Sequence, residues 1–367
     1  MPTRKQKVLV AMSGGVDSSV ALYRVLEQGY DAIGVTMKLW EYEQVGGNTG
    51  KNVSCCSLES FNNAKLVCEQ LGVPHYTLDH SAAFRKSVVD NFVDEYFLGR
   101  TPNPCVRCNV FLKWGTLLEQ ARQLGADLVA TGHYARTIQI NGQTRLLKGR
   151  DAKKDQTYFL WGIEREAIQQ TLFPLGDLTK PEVRKIAKAI DLPTALEPES
   201  QEVCFIPDND YRRFINEYAP ERVNESKSGY FIDPQGKILG LHSGITNYTI
   251  GQRKGLGIAG PEAYYVKDIN LDTGNIILGT RSELRFNGCV IDNLNLLTDD
   301  KLSQMKQVTV QIRYNHPGIG AKIEVLDSGR LKLKFREPQF AVTPGQSAVF
   351  YQDDVVLGGG LIIEGLK

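Results

Sequence analysis

The sequence has almost no net charge: 43 Lys and Arg stand against 42 Asp and Glu, a formal +1 over 367 residues. That excludes nucleic-acid binding by bulk positive charge. It leaves room for a local basic groove, because counterion release depends on the few Lys and Arg that face phosphate. Long apolar runs are also missing. None reaches the roughly 18 residues of a membrane helix, so no membrane segment is expected. The opening MPTRKQK runs straight into an apolar strand without a signal-peptide core. Cysteine is scarce and odd in number, seven in all, which excludes a disulfide scaffold and points to reducing cytoplasm. With 42% hydrophobic and 23% charged residues, disordered and fibrous classes drop out. At roughly 100–200 residues per domain, the length suggests two or three domains.

What is there begins as alternating strands and helices. Residues 8–12 (VLVAM) read as a buried strand, 18–28 as a helix, 32–40 as a strand and 59–71 as a helix ending at Gly72. A short strand at 75–78, helices at 82–98 and 111–124, and a strand at 127–131 follow. This spacing predicts an α/β fold with a doubly wound parallel sheet. Two longer connections, 41–57 and 99–109, read as loops with functional potential. Near Pro207 the pattern changes to short β runs, with one more helix at 211–218. Strands dominate after Phe286, and alternation in KIEVL and RLKLKF predicts an antiparallel sheet or small barrel. The expected division is a catalytic domain over 1–208, a small central domain over 209–280 and a C-terminal β-barrel domain over 281–367.

Between the first strand and helix stand Ala11, Met12, Ser13, Gly14, Gly15, Val16, Asp17, Ser18 and Ser19. Paired glycines let backbone approach a ligand, and a helix N-terminus offers unpaired N–H groups with a positive dipole end. Serine hydroxyls add donors, and Asp17 can hold a divalent cation against phosphates. The loop has no lysine, so it is not G-x-x-x-x-G-K-[ST], and it lacks G-x-G-x-x-G. It resembles the pyrophosphate loop of the N-type ATP pyrophosphatases, which cleave ATP between the α- and β-phosphates and adenylate a substrate. The plainer reading, a glycine turn with a helix cap, explains fewer of these residues. Met37 ends the second strand and Gly132 follows the DLVAT strand, so both border the crevice where a nucleotide would lie. For Met37 alone a core position is the simpler reading.

Cys68 and Cys289 sit in apolar patterns and read as packing; Cys55-Cys56 lies in the Gly/Asn loop and reads as incidental. Cys105 and Cys108 form C-x-x-C, which can be half a zinc site, a redox pair or a nucleophile with a bystander. No second C-x-x-C or H-x-x-x-H occurs, so no metal site is expected. Arg107 and Lys113 stand close enough in sequence to favour a thiolate. Cys204 alone is as easily structural as reactive.

SGGVDSS, TPNPCVRCN, ATGHYAR, KKDQTYFL, SQEVCFIP and YTIGQRKGLGI occur in this order. Together they resemble the tRNA-specific 2-thiouridylases, the MnmA family of the PP-loop superfamily, from Lys7 through the C-terminal β region. The pyrophosphate loop is shared with many ligases; the two cysteine segments narrow the choice. The resemblance implies an ATP- and Mg²⁺-dependent sulfurtransferase that converts the wobble uridine of tRNA to 2-thiouridine. Cys204 would receive a persulfide sulfur from an upstream carrier or cysteine desulfurase. Cys108, aligned with the family's catalytic cysteine before Asn109, would be its partner and pair with it as a transient disulfide. Asn103, Pro104 and Cys105 would meet the target base, flipped from the anticodon stack. His133, Lys154, Asp155, Gln156, Arg313, Tyr314 and Gln346 match tRNA-contacting positions, with Arg253-Lys254 alongside; each taken alone reads as ordinary surface. A monomer is expected. Two other functions stay open: a PP-loop ligase of the amidating or argininosuccinate type, which gives the cysteines no work, and an RNA-binding protein whose nucleotide loop only regulates docking.

Overall fold

The computed structural model describes residues 5–41, 58–199, 203–226, 228–299 and 307–367. The Cys55-Cys56 pair, most of the 41–57 connection and Ser200–Glu202 before Cys204 lie outside the described residues. Packing divides the chain into two compact units. The first comprises Met1–Val88, Cys105–Asp210 and Asp354–Val356; the second comprises Val89–Pro104, Tyr211–Asp353 and Leu357–Lys367.

The first unit is built on β1 (Lys7–Ala11), α1 (Val16–Glu27), β2 (Asp31–Lys38), α2 (Leu58–Gln70) and β3 (His75–Asp79). It continues with α3 (Leu117–Gln123), β4 (Leu128–Ala130), β5 (Ala135–Ile140), β6 (Gln143–Lys148), β7 (Thr171–Leu172) and α4 (Lys180–Ala189). The sheet order is β3-β2-β1-β4-β7, and all its pairings are parallel. Central β1 pairs Val8 with Ala32 and Leu128, and Val10 with Gly34 and Ala130. A strand covered on both faces needs an unbroken apolar run, which VLV supplies. Val20, Leu22 and Val25 of α1 and Val183 and Ala187 of α4 close over Val8 and Val10. Gly34 is required where it stands, since a Cβ there would lie 2.5 Å from Cys68 Sγ. Cys68 is fully buried, and burial pushes its thiol up to about 12.

The order places the reversal of winding between β1 and β4. Ligands of open α/β sheets bind there, beyond the carboxyl ends of the strands.

The second unit contains α5 (Tyr211–Tyr218), the helix Asp90–Phe97 and two β structures. Tyr96 and Tyr211 stack with ring centroids 4.7 Å apart, and Phe92 meets Phe214 edge-on. β8 (Gly229–Ile232), β9 (Ile238–His242), β10 (Tyr265–Ile269) and β11 (Ile276–Gly279) form a sheet ordered β10-β11-β8-β9. β12 (Arg285–Leu296), β13 (Val308–Gln311), β14 (Ile319–Val325), β15 (Leu331–Phe340), β16 (Ser347–Gln352) and β17 (Val355–Leu366) run in the order β12-β15-β14-β13-β16-β17. β12 also pairs with β17, which closes a six-stranded antiparallel barrel, the small barrel that the alternation predicts.

Three expectations change. The 82–98 helix is two α-helical pieces, Ser81–Phe84 and Asp90–Phe97, joined by a π-helical turn at Arg85–Val89. The 99–109 loop is largely helical: Pro104, pre-set for a first helical position, opens Pro104–Arg107, and a π-helix follows at Cys108–Lys113. The 111–124 helix therefore starts late, at Leu117, after Gly115 has come so close to Phe111 that a Cβ would lie 2.3 Å from its carbonyl oxygen. Among the described residues no helix is long and apolar enough to cross a membrane.

Candidate active site

The loop after β1 runs into α1 at the switch point. Gly15 is the N-cap, with no side-chain cap, so first-turn N–H groups are left for a ligand. Gly14 has φ +74, and a Cβ there would lie 2.1 Å from the Ser60 carbonyl oxygen, so only glycine fits. The serines divide their work. Ser18 and Ser19 are buried and donate to Gly15 O at 3.0 and 2.9 Å, holding the loop shut; Ser13 is exposed, and its N–H and hydroxyl both reach Ser18 Oγ. Only Ser13 among the three presents its hydroxyl edge to solvent. Ala11 and Val16 flank the turn, Val16 and Met12 packing into the core. Met37 is buried at the end of β2, opposite Leu78 of β3, so any adenine contact there falls to its backbone. Gly132 packs directly on α1: a Cβ would lie 2.9 Å from Asp17 C and Ser18 N.

Asp17 is the centre of a charge network absent from the sequence reading. Lys180, at the start of α4, donates to both carboxylate oxygens at 2.8 Å, and the Tyr134 hydroxyl donates to Oδ1 at 2.9 Å. Lys180 also lies 3.3 Å from Glu199, which pairs with Lys154 on its other oxygen. Burial pushes Glu199 up, yet the two lysines together hold it below its usual value. Burial, with the Asp17 charge, raises the Tyr134 phenol so that it stays a proton donor. Among the described residues no group of three His, Cys, Asp or Glu is placed to hold a metal. Asp17 alone suits a Mg²⁺ ion held mainly by phosphates and water, provided the Lys180 ammonium moves aside.

The tRNA-matched element separates into parts. Asp155 accepts from Gly149 N–H and Thr157 Oγ1, and Gln156 Oε1 accepts from Tyr134 N–H at 3.0 Å. These two side chains build the turn that sets Tyr134, and Lys154 alone carries a charge outward to Glu199. His133 is bound through Nδ1 to Thr131 Oγ1 at 2.9 Å and takes Lys113 Nζ at Nε2. Burial, then Lys113, lowers its pKa well below the ordinary imidazole value, so it is neutral.

Cys108 is buried at the start of its π-helix, and Cys105, one turn earlier, is exposed. Arg107 donates from Nε to Ser87 O, and its guanidinium lies 4.8 Å from the Phe111 ring centroid. Lys113 Nζ reaches His133 Nε2. Cys204 is half-buried, and the next residue, Phe205, locks the segment into an aromatic cluster with Phe84 and Trp40 at 5.7 and 6.1 Å. Cys105, Cys108 and Cys204 share the first unit with the phosphate loop.

Asn103 and Pro104 fall in the second unit with Arg313, Tyr314 and Gln346. There Gln346 Nε2 donates to the carbonyls of Thr101 and Pro102 at 3.3 and 3.1 Å, bracing the strand of chain that leads to Asn103. Arg313, Arg253 and Lys254 are exposed, and Tyr314 is half-buried. Lys180, Glu199 and Tyr134 are the residues the sequence reading missed. Thr179-Lys-Pro-Glu182, a capping-box pattern with proline in the first turn, signals where the helix begins but not where the Lys180 ammonium ends.

Three family matches cover the chain. Residues 6–208 match the tRNA methyl transferase HUP domain, residues 212–280 the tRNA methyl transferase PRC-barrel domain, and residues 286–362 the aminomethyltransferase β-barrel domain. The tRNA-specific 2-thiouridylase MnmA of Carboxydothermus hydrogenoformans is 46% identical over 362 residues, 98% of both chains. That named MnmA 1 from Caldanaerobacter subterraneus is 47% identical over 358 residues, 97% of both. Among solved structures, the U34-tRNA thiolase NcsA of Methanococcus maripaludis is 16% identical with a TM-score of 0.35, covering 61% of this chain and 74% of that one. At near half identity over almost the whole length of its relatives, and with the phosphate loop seated at the sheet's switch point, the chain belongs to the tRNA-specific 2-thiouridylase family.

Proposed function

We propose that the chain makes 2-thiouridine at the wobble position of tRNA, using ATP to activate the base and Cys204 to carry the sulfur. The observation that carries the reading is one compact unit holding both an uncapped phosphate loop at a parallel-sheet switch point and the Cys108 and Cys204 segments. A ligase reading leaves those cysteines without work.

The C2 carbonyl of uridine is amide-like, and its oxygen is a poor leaving group. Its attack on the α-phosphorus of ATP forms an O–P bond and releases pyrophosphate, so the oxygen later departs in AMP. The α1 N–H groups and Ser13 would bind the phosphates, with the Met37 backbone and Gly132 bordering the nucleotide. Mg²⁺ on Asp17 and the phosphate oxygens would supply charge neutralisation at the breaking bond. The terminal sulfur of the Cys204 persulfide then forms a bond to C2. Cys108, as thiolate, attacks Cys204 Sγ, the persulfide S–S bond breaks, and a Cys108–Cys204 disulfide remains for a cellular thiol to reduce.

Asn103, Pro104 and Cys105 receive the flipped base in this reading. Lys154 and Arg313 hold phosphates, Tyr314 and His133 reach the nucleotide, and Asp155, Gln156 and Gln346 hold those contacts in place. The sulfur arrives from a carrier protein or cysteine desulfurase, and the enzyme acts as a cytoplasmic monomer over three domains. The test mixes unmodified tRNA, ATP, Mg²⁺ and a persulfide donor and looks for a band retarded on a thiol-binding gel. The band is expected with the native chain and lost, by at least about a hundredfold in rate, in Cys108→Ser and Cys204→Ser. Undiminished thiolation in both would overturn the cysteine roles.

A further inference from the structure

We infer that Cys105 is a third reacting cysteine, which takes the spent disulfide over from Cys204 and carries it to the surface; this rests on the sulfur-transfer reading above. That reading ends each turnover on a Cys108–Cys204 disulfide, and its reduction is a problem of access. Thiol–disulfide exchange requires an attacking sulfur to reach one of the two bonded sulfurs. Cys108 is only 8% exposed, set among buried Val106, Asn109 and Leu112. Cys204 is half-buried, and Phe205 beside it is packed against the Phe84 and Trp40 rings. Neither offers a protein dithiol an easy approach. Cys105, three residues before Cys108, is exposed.

The backbone sets the spacing of the pair. Pro104–Arg107 is helical, and Arg107 passes the chain into the Cys108–Lys113 π-helix with φ −62 and ψ −43. Cys105 and Cys108 are therefore neighbours on one helical surface, with Cβ atoms about 5–6 Å apart; a cysteine one or two residues away would face elsewhere. A disulfide needs roughly 3.5–4.5 Å between Cβ atoms, so the turn must tighten by about 1–2 Å. The Cys108 end of the turn is held, because Arg107 Nε donates to Ser87 O at 2.6 Å and its guanidinium lies over the Phe111 ring. Tightening falls to the first turn, whose leading N–H groups have no intrahelical bond to break.

In the reading above, Cys105 lies against the flipped base. Once the thiolated base withdraws, the Cys105 thiolate attacks Cys108 Sγ. The Cys105–Cys108 bond forms and the Cys108–Cys204 bond breaks. Its electron pair leaves on Cys204 Sγ, which takes up a proton in place of the one Cys105 gave to water. No oxidant is consumed, since one disulfide replaces another. A cellular dithiol then reduces the pair at exposed Cys105, while Cys204 is already a thiol and can accept the next sulfur. Because the base and Cys108 compete for Cys105, the exchange waits until product has left.

The test follows one turnover of the full-length native chain. The chain is loaded with persulfide, stripped of donor, and mixed with unmodified tRNA, ATP and Mg²⁺ without reductant. Acid quenching, alkylation of the remaining thiols and peptide mass spectrometry then locate the disulfide. A Cys105–Cys108 linkage with Cys204 alkylated is expected. A Cys108–Cys204 linkage beside thiolated tRNA overturns the inference and leaves the sulfur-transfer reading standing. Thiolated tRNA with neither linkage, or no thiolated tRNA at all, overturns that reading and the inference with it. A second measurement reads the rate. Native and Cys105→Ser chains are oxidised with diamide and then reduced with thioredoxin or dithiothreitol, while timed alkylation counts the Cys108 thiol. With thioredoxin, Cys105→Ser is expected to recover at least about tenfold more slowly than the native chain. With dithiothreitol, small enough to reach a half-buried sulfur, the difference should narrow to about twofold. Equal rates with thioredoxin, or the same slowing with both reductants, overturn the inference.

Discussion

Gly14 shows how one residue sets the geometry of the site. Its φ of +74 and the 2.1 Å approach of a would-be Cβ to Ser60 O leave no room for a side chain. Gly14→Ala must strain the turn or push α2 away. At about 1–3 kcal/mol of strain, the expected outcome is a lowered melting temperature and weaker ATP binding by titration. Gly132→Ala acts from the other wall, pressing on Asp17 and Ser18. It should weaken ATP with less effect on melting; unchanged ATP binding in both variants would remove the loop from the site. The glycines were legible because their reason is local: a turn between strand and helix. Lys180 was not legible, because its partner lies 163 residues away and nothing in LTKPEV says where its ammonium ends. Asp155 and Gln156 mark the opposite limit. A charged or amide side chain in a recognition-like motif reads as a contact, while the fold spends both on backbone donors.

At the scale of elements, β1 to β4 of the parallel sheet were readable to within a residue or two, β1 and β2 because doubly buried strands demand unbroken apolar runs, whereas β7, two residues long, was not read. The β5–β6 hairpin was overlooked although Asn141-Gly142, with φ of 51 and 77, is the two-residue turn that such hairpins prefer. The π-helical turns could not be read: shifting the hydrogen bonds by one residue leaves the apolar spacing nearly unchanged. The helix α4 offers the sharpest test at this scale. Its capping box ties Thr179 N–H and Oγ1 to Glu182 Oε2 at 2.6 and 2.8 Å. Thr179→Ala should cost about 1 kcal/mol in unfolding free energy. If α4 only fills the fold, nucleotide binding will not follow. If it aims Lys180, ATP affinity falls while adenosine affinity stays, and restoring the cap with Thr179→Ser restores both.

Across the whole molecule, burial lowers the pKa of four histidines, two in each unit: His75 and His133, and His242 and His316. The geometry agrees in the second unit. His242 Nδ1 accepts from Gly244 N–H at 3.2 Å while Nε2 donates to Gly274 O, and His316 Nδ1 accepts from Gly318 N–H at 3.1 Å while Nε2 faces Gln339 Oε1. A second proton on either ring would take the lone pair that holds a backbone donor. The unfolded chain binds protons at these rings near pH 6.5 and the folded chain resists them, so stability rises with pH in that window and falls on acidification. The depressed carboxylates, Glu182 at about 2 with Glu283 and Glu324 also lowered, add their loss only further down, below about pH 4.5. Asp155, raised by burial, works in the opposite direction as it protonates. Between about pH 6.5 and 4.5 the histidines therefore dominate, and both units should lose stability together. Urea midpoints at pH 7.5, 6.0 and 5.0 are expected to fall stepwise, followed by tryptophan fluorescence, which reports the first unit, and by far-UV dichroism. A midpoint that stays level over that span would mean that these rings accept protons in place. The turns at Gly244 and Gly318 would then have to be held by something other than the imidazole lone pair.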